Sequence, residues 1–157
     1  MDTKPFPLIN RQAARTIQGR HTEVLVVSFS DKILILVSQY GKVGSLIHTT
    51  VDQQSLTQST ATGDLDLAST SSSFLLGAGS STSKKTQLYQ VYASHISQMI
   101  QHQNPMETRP VVLSLALAIQ EPDVERSGGE GEKEDRLRDR ELFENVVELV
   151  NECCVWM

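Results

Sequence analysis

The residues of this chain that could perform chemistry stand in patterns that miss the known catalytic signatures. The segment LLGAGSSTSKKT, residues 75–86, follows an apolar stretch and precedes a helical pattern, as a phosphate-binding loop would. A GxGxxG motif, however, needs glycine where Thr82 stands, and a Walker motif needs glycine where Lys84 stands. The lysine side chain would fill the space that a phosphate requires. We therefore expect a linker here and no nucleotide site.

The histidines and cysteines also lack the spacing of a metal site or a catalytic nucleophile. Ser94 and His95 are neighbours on a predicted helix, so their side chains point about 100° apart and cannot form a serine–base pair. We expect His95 to be a hydrogen-bonded packing residue. Cys153 and Cys154 are too close for an ordinary disulfide and end a predicted helix, where the dipole disfavours a thiolate. We predict buried cysteines, no metal, no cofactor and no enzyme activity.

Length and charge indicate one domain, residues 1–157, with an almost neutral folded part. Of the net charge of -5, the segment 121–141 carries -4, from nine acids and five bases. A basic groove for nucleic acid is therefore not expected. No apolar run approaches the roughly 20 residues that cross a membrane, and the first residues lack a secretory h-region. We expect a cytoplasmic protein, with the nucleus as a second location, and no membrane partner.

The first half of the chain has the pattern of consecutive β-strands. We predict a weak strand at residues 12–17 and stronger ones at 22–29, 33–37 and 43–51, because these runs are rich in β-branched residues and end at turn residues. Gly41 and Gly44 flank a reversal, where a residue with positive φ costs least. Three consecutive strands joined this closely should form an antiparallel meander.

The middle of the chain alternates between a polar tract and a clear helix. Fourteen of residues 54–83 are Ser or Thr, so we expect a flexible loop at about 53–73, with a short fifth strand at 74–76. Ser83 or Thr86 should cap a helix that ends at Asn104, before a proline. Its apolar face is predicted to contain Leu88, Val91, Tyr92, His95, Ile96, Met99 and Ile100.

The last third predicts one central strand and one more helix. Residues 111–119 place large side chains on one side and small ones on the other, which favours a central strand with both faces covered. A charged, glycine-bearing stretch at about 122–135 is predicted to be a flexible linker. Helical spacing resumes at Leu137 and leads to an apolar tail that contains Trp156.

These elements predict an α+β fold with an antiparallel sheet of about six strands, an N-terminal meander and two main helices. Two helices screen about one face of such a sheet, yet strands 22–29 and 33–37 carry apolar side chains on both faces. A partner chain is the simplest cover for the second face. The alternative is that the two helices lie on opposite faces.

The segment ILILVSQYGKVGSL, residues 33–46, with the upstream TEVLVVSF and the terminal CVW, closely resembles the proteasome assembly chaperone 3 family. The order of the remaining elements agrees, except in the Ser/Thr-rich loop and the acidic linker. The resemblance implies a non-enzymatic chaperone that pairs with proteasome assembly chaperone 4. It also implies that the pair helps α subunits close into the ring of the 20S core particle, and that a homodimer forms when the partner is absent.

On this basis we assign partner binding to three places, as a hypothesis. The apolar strands and a helix face should hold the dimer, with Val112 and Ala116 of the 111–119 strand among the contacts, while a hairpin tip and the Ser/Thr loop should touch α subunits. Trp156 is either an interface anchor or a core residue, and Tyr40 either contacts a client or packs the turn. The assigned residues are Gln39, Tyr40, Gly41, Lys42, Val112, Ala116 and Trp156. The alternatives are a dimeric adaptor of the same fold, or a hydrolase with an ordered 77–86 loop.

Overall fold

The computed structural model describes residues 8–52, 70–77, 79, 81–121 and 129–157, which form six strands and two helices. In chain order these are β1 (Ile9–Ile17), β2 (Arg20–Ser28), β3 (Ile33–Ser38), β4 (Ser45–Val51), β5 (Thr70–Leu76), α1 (Lys84–Gln103), β6 (Val111–Ala116) and α2 (Glu130–Glu152). The strands form one sheet in the order β1-β2-β3-β6-β4-β5. Neither helix is long and apolar enough to span a membrane.

The sheet is mixed, because β6 enters between β3 and β4. Strands β1, β2 and β3 form the antiparallel meander that the sequence predicts for the start of the chain. β6 then pairs parallel to β3 and antiparallel to β4. The prediction of an antiparallel sheet is therefore wrong for the β3–β6 pair. The predicted hairpin between β3 and β4 is also wrong, because β6 lies between these two strands. The apolar strands β3 and β6 take the two central positions, where burial is greatest.

Both helices cover the same face of the sheet. The strand register places Val26, Ile35 and Leu113 in one cross-strand row, and all three are fully buried. Helix α1 packs on β4, β5 and β6, and α2 packs on β1 and β2, so that both contribute to one core. The alternative with helices on opposite faces is wrong. β6 is central, as predicted, but neither of the two described helices lies over its second face.

The structure confirms the ends of α1 and corrects its buried face. Ser83 is the N-cap and Asn104 the C-cap, where the Asn104 N–H donates to the Ile100 carbonyl. The helix turns Tyr89, Tyr92, Ala93, Ile96 and Ile100 into the core. Val91 is 53% exposed instead of buried. His95, predicted to be a packing residue, is exposed, and its ring contacts the Phe143 ring edge-on at 5.1 Å.

Two predicted loops are shorter than expected. Helix α2 begins at Glu130, seven residues before the predicted start, because acidic residues suit a helix N-terminus and Glu132 pairs with Arg136 one turn later. Strand β5 begins at Thr70, inside the predicted 53–73 loop, since residues 70–74 pair continuously with β4. Residues 53–69 and 122–128 of these loops lie outside the described residues.

Candidate partner-binding surfaces

The sheet face away from the helices is apolar at its centre, and we call it the open face. Alternate residues of four strands point to this side, since side chains alternate along a strand. Leu25, Leu36 and Ser114 form one cross-strand row, and Val27, Leu34 and Val112 another. The partly exposed apolar side chains of the open face are Leu25, Val27, Leu34, Leu36, Leu46 and Val112. They form a continuous patch without a charged group among them.

Polar residues surround this patch. On β2, the His21 Nε2 lies 3.0 Å from the Glu23 carboxylate, and both side chains are well exposed. His48 on β4 lies beside Val112 in the register. An apolar centre with a polar edge is the usual anatomy of a protein–protein interface.

The segment 39–44 connects β3 to β4 across the end of β6, and we call it the crossover loop. It crosses where β6 carries small residues. The Gly44 N–H donates to the Ser114 hydroxyl at 3.1 Å. A Cβ added to Gly44 would overlap the Leu115 carbonyl, so only glycine fits this approach. The crossover loop of the same chain therefore packs against the side of β6 that carries small residues.

Gln39, the first predicted tip residue, holds the crossover loop in place. Its amide nitrogen donates to the Thr22 hydroxyl at 3.0 Å, and its amide oxygen accepts from the Ala118 N–H at 2.8 Å. Its backbone N–H donates to the Ala116 carbonyl at 2.9 Å. One side chain thus joins β2 to the segment that follows β6.

The other three predicted tip residues are exposed together. Tyr40 is 52% exposed, and the Lys42 ammonium lies 5.7 Å from the centre of its ring. Gly41 between them has a φ of 64°. The backbone N–H groups of Tyr40 and Lys42 both donate to the Ser38 hydroxyl, at 3.2 and 3.0 Å. The result is a fixed turn with an outward aromatic ring and a positive charge.

The crossover loop and the open face border one cleft of about 510 Å³. Leu25 and Leu36 line it from the sheet, and Lys42 and Val43 line it from the loop. Val43 is 61% exposed, and sequence reasoning did not assign it to a site. Of the predicted dimer contacts, Val112 lies partly exposed on the open face, whereas Ala116 is 6% exposed.

Trp156 is a core residue of this chain. It is 2% exposed, its indole N–H donates to the Gln103 side-chain oxygen at 2.7 Å, and its carbonyl accepts from Asn104 at 2.6 Å. These contacts fix the end of the chain to the end of α1. In this fold the indole offers almost no surface to a partner.

Cys153 lies in the core of the chain. Cys153 is 1% exposed, as predicted, and its burial raises the pKa of the thiol, which disfavours the nucleophilic thiolate. The segment 75–86, which the sequence analysis compared with a phosphate-binding loop, leads into the start of α1. There the Ser83 hydroxyl donates to the Glu121 carboxylate at 2.7 Å. A carboxylate of the chain thus occupies the end of the helix where a phosphate would bind. The described residues contain no cluster of metal-ligating side chains.

Comparison with known proteins identifies the family. The family model described as Proteasome assembly chaperone 3 matches residues 35–127. A protein of that name from Nematostella vectensis is 31% identical over 73% of this chain and 78% of its own length. Its Mus musculus counterpart is 27% identical over 80% of this chain and 88% of its own.

A solved structure shares the fold. It is a chain from a chaperone complex for yeast 20S proteasome assembly, with a TM-score of 0.54 at 12% identity, over 92% of this chain and 97% of that one. This likeness concerns the fold, and the family follows from the comparisons of sequence. The chain belongs to the proteasome assembly chaperone 3 family.

Proposed function

We propose that this chain is a non-enzymatic chaperone that binds proteasome assembly chaperone 4 through the open face. The pair would then help α subunits assemble into the ring of the 20S core particle. Membership of the family supports the general role. The structural neighbour, which belongs to a chaperone complex for yeast 20S proteasome assembly, supports a fold suited to such complexes.

The observation that carries the proposal is the uncovered apolar centre of the sheet. Both helices of the described part of the chain pack on one face, so neither of them lies over Leu34, Leu36 and Val112 on the other face. A second sheet stacked about 10 Å away would bury this patch and complete a sandwich. A partner of similar fold offers such a sheet. A second copy of this chain offers one as well, so we expect a homodimer when the preferred partner is missing.

The exposed turn of the crossover loop is the proposed client contact. Tyr40 supplies a large ring at low entropic cost and Lys42 supplies a charge, and both lie beside the cleft at the edge of the open face. A modest, polar-edged contact suits a client that must later be released. The expected locations are the cytoplasm and the nucleus.

Native affinity capture of the tagged protein from its own cells tests the proposed function. We expect mass spectrometry to identify one small partner chaperone and α subunits, without mature β subunits. An eluate with a partner but no α subunits would contradict the assembly role and favour an adaptor of the same fold.

Variants of the turn test the client contact separately. Tyr40→Ala and Lys42→Glu should reduce the recovery of α subunits and leave the partner chaperone bound. Val91→Ala, an equally exposed apolar residue on α1, is the matched control. Unchanged recovery of α subunits with both turn variants would show that Tyr40 only packs the turn.

A further inference from the structure

The described sheet ends at β1 on one side and at β5 on the other, and the two edges differ in their charge. An edge strand exposes a row of backbone N–H and C=O groups that can pair with a strand of another molecule. Natural proteins commonly place charged side chains on such a strand, because a charge opposes this pairing. β1 carries Arg11 and Arg15, and Arg15 is held by ion pairs to Glu148 and Glu152 of α2. The edge at β1 is therefore charged.

The edge at β5 lacks this protection. The sequence of the strand, TSSSFLL, contains neither a charged residue nor a proline. On one side the ladder to β4 holds the strand in the extended conformation. No strand of the described chain pairs with its other side. β5 therefore offers a preformed and uncharged template for one more strand.

The end of β5 lies beside the crossover loop. The Ser45 hydroxyl donates to the Gly77 carbonyl at 3.0 Å, so the residue after β5 adjoins the residue after the loop. Leu75 and Leu76, the last two residues of β5, are each more than half exposed. The crossover loop contributes two further exposed apolar side chains to the same corner of the sheet. Exposed apolar groups that lie together commonly mark a site of protein interaction.

The chemistry of this edge selects one kind of partner. An extended backbone matches it, because the N–H and C=O groups of a neighbouring strand recur at the spacing of β5. Strand addition of this kind takes its affinity from backbone hydrogen bonds and its specificity from alternate side chains. Charged side chains would find no opposite charge on β5, whereas apolar ones would cover Leu75 and Leu76. The edge therefore fits an extended, uncharged segment with apolar side chains.

We propose that such an extended segment of the client α subunit adds to the edge of β5 as a seventh strand. This inference rests on the proposed function, in which the Tyr40 turn contacts the client and the partner chaperone covers the open face. The β5 edge continues from the crossover loop that carries this turn, so one client can engage both. It also lies at the side of the open face, so the client and the partner chaperone do not compete.

Hydrogen exchange of the full chain in its native complexes, with and without bound α subunits, tests this mode of binding. Every second amide of Thr70–Leu76 points away from β4. We expect these amides to exchange about tenfold more slowly in the α-subunit complex, because each gains a hydrogen bond. The amides of β1, at the other edge, are the control and should exchange at unchanged rates. Bound α subunits with unchanged exchange throughout β5 would overturn the inference and leave the proposed function standing, whereas a failure to bind α subunits would overturn both.

Charged variants of the edge provide a second readout. Leu75→Lys and Ser71→Lys each place a charge at an exposed position of β5, as many natural edge strands do. We expect each variant to lower the recovery of α subunits about tenfold, while the partner chaperone stays bound and circular dichroism shows an intact fold. Leu137→Lys, which changes an exposed leucine of α2, is the matched control and should leave recovery unchanged. Recovery at the wild-type level with both edge variants would overturn the inference.

Discussion

Replacing Leu36 by aspartate should abolish dimerisation and leave the isolated chain folded. Leu36 lies between Leu25 and Ser114 in the register, at the centre of the open face. Its side chain is partly exposed in the single chain, so a carboxylate at this position can reach water. Once a second sheet covers the face, the same carboxylate is buried against apolar groups without a partner.

The size of the effect follows from these two environments. In the isolated chain the substitution removes part of the burial of one leucine, which costs about 1–2 kcal/mol of unfolding free energy. In the complex an unpaired buried charge adds an effective penalty of several kcal/mol. A net loss of about 4 kcal/mol corresponds to a thousandfold weaker Kd. Leu36→Ala, which adds no charge, should weaken binding about tenfold.

Calorimetric titration with purified proteasome assembly chaperone 4, the proposed partner, measures the Kd, and sedimentation equilibrium measures the proposed homodimer. Leu137→Asp is the matched control, since Leu137 is 66% exposed on α2, away from the open face. Circular dichroism checks that each variant is folded. A folded Leu36→Asp protein that binds within about threefold of the wild type would refute the open face as the dimer surface.

Three further outcomes concern the fold. Gly44→Ala should lower the free energy of unfolding, measured by chemical denaturation, by more than about 3 kcal/mol, because the added Cβ forces β4 away from the Leu115 backbone. Gly41→Ala should lower it by only about 1–2 kcal/mol, because alanine disfavours the left-handed φ of this position. Equal losses in the two variants would contradict the crossing geometry. Trp156→Phe should lose about 2 kcal/mol through the Gln103 bond and a cavity, and an unchanged midpoint would contradict its core role. The hydrogen bond from Arg109 lowers the pKa of Glu107, so the stability that this ion pair contributes is present above about pH 4.5 and is lost as the pH falls further. In thermal unfolding at a series of pH values, Glu107→Gln should show a smaller loss of stability at low pH than the wild type. Parallel curves of stability against pH for the two proteins would argue against the ion pair.

The sequence predicts the local elements well, because their signals are local. Runs of β-branched residues locate β2 and β3, and the spacing of Tyr92, Ile96 and Ile100 locates α1. The uncovered face also follows from the sequence, since β2 and β3 are apolar on both sides. The sequence also predicts that β6 is central, but it does not predict that β6 enters between β3 and β4, because that position depends on pairing with strands distant in the chain.

The residues of the candidate site also divide into those that the local sequence predicts and those whose role depends on the folded sheet. Exposure of Tyr40 and Lys42 follows from turn residues, whereas the role of Gln39 depends on Thr22 and Ala118, which approach it only in the folded sheet. The sequence analysis placed Val91 on the buried face of α1, but Val91 is exposed and Tyr89 is buried. The Tyr89 hydroxyl accepts a hydrogen bond from the Leu117 N–H at 3.0 Å, and because this polar group is satisfied, the ring can enter the core.

The position of β6 also sets when the protein can fold during its synthesis. In the described sheet, the β1-β2-β3 meander and the β4-β5 pair meet only through β6. Val111, which pairs with Ile33, follows it by 78 positions. At about 5–20 residues per second, the ribosome takes roughly 4–16 s to supply that strand. During this interval β3, and β4 once it has been made, each have an unpaired edge, so the nascent chain of an assembly chaperone should itself depend on early protection from aggregation.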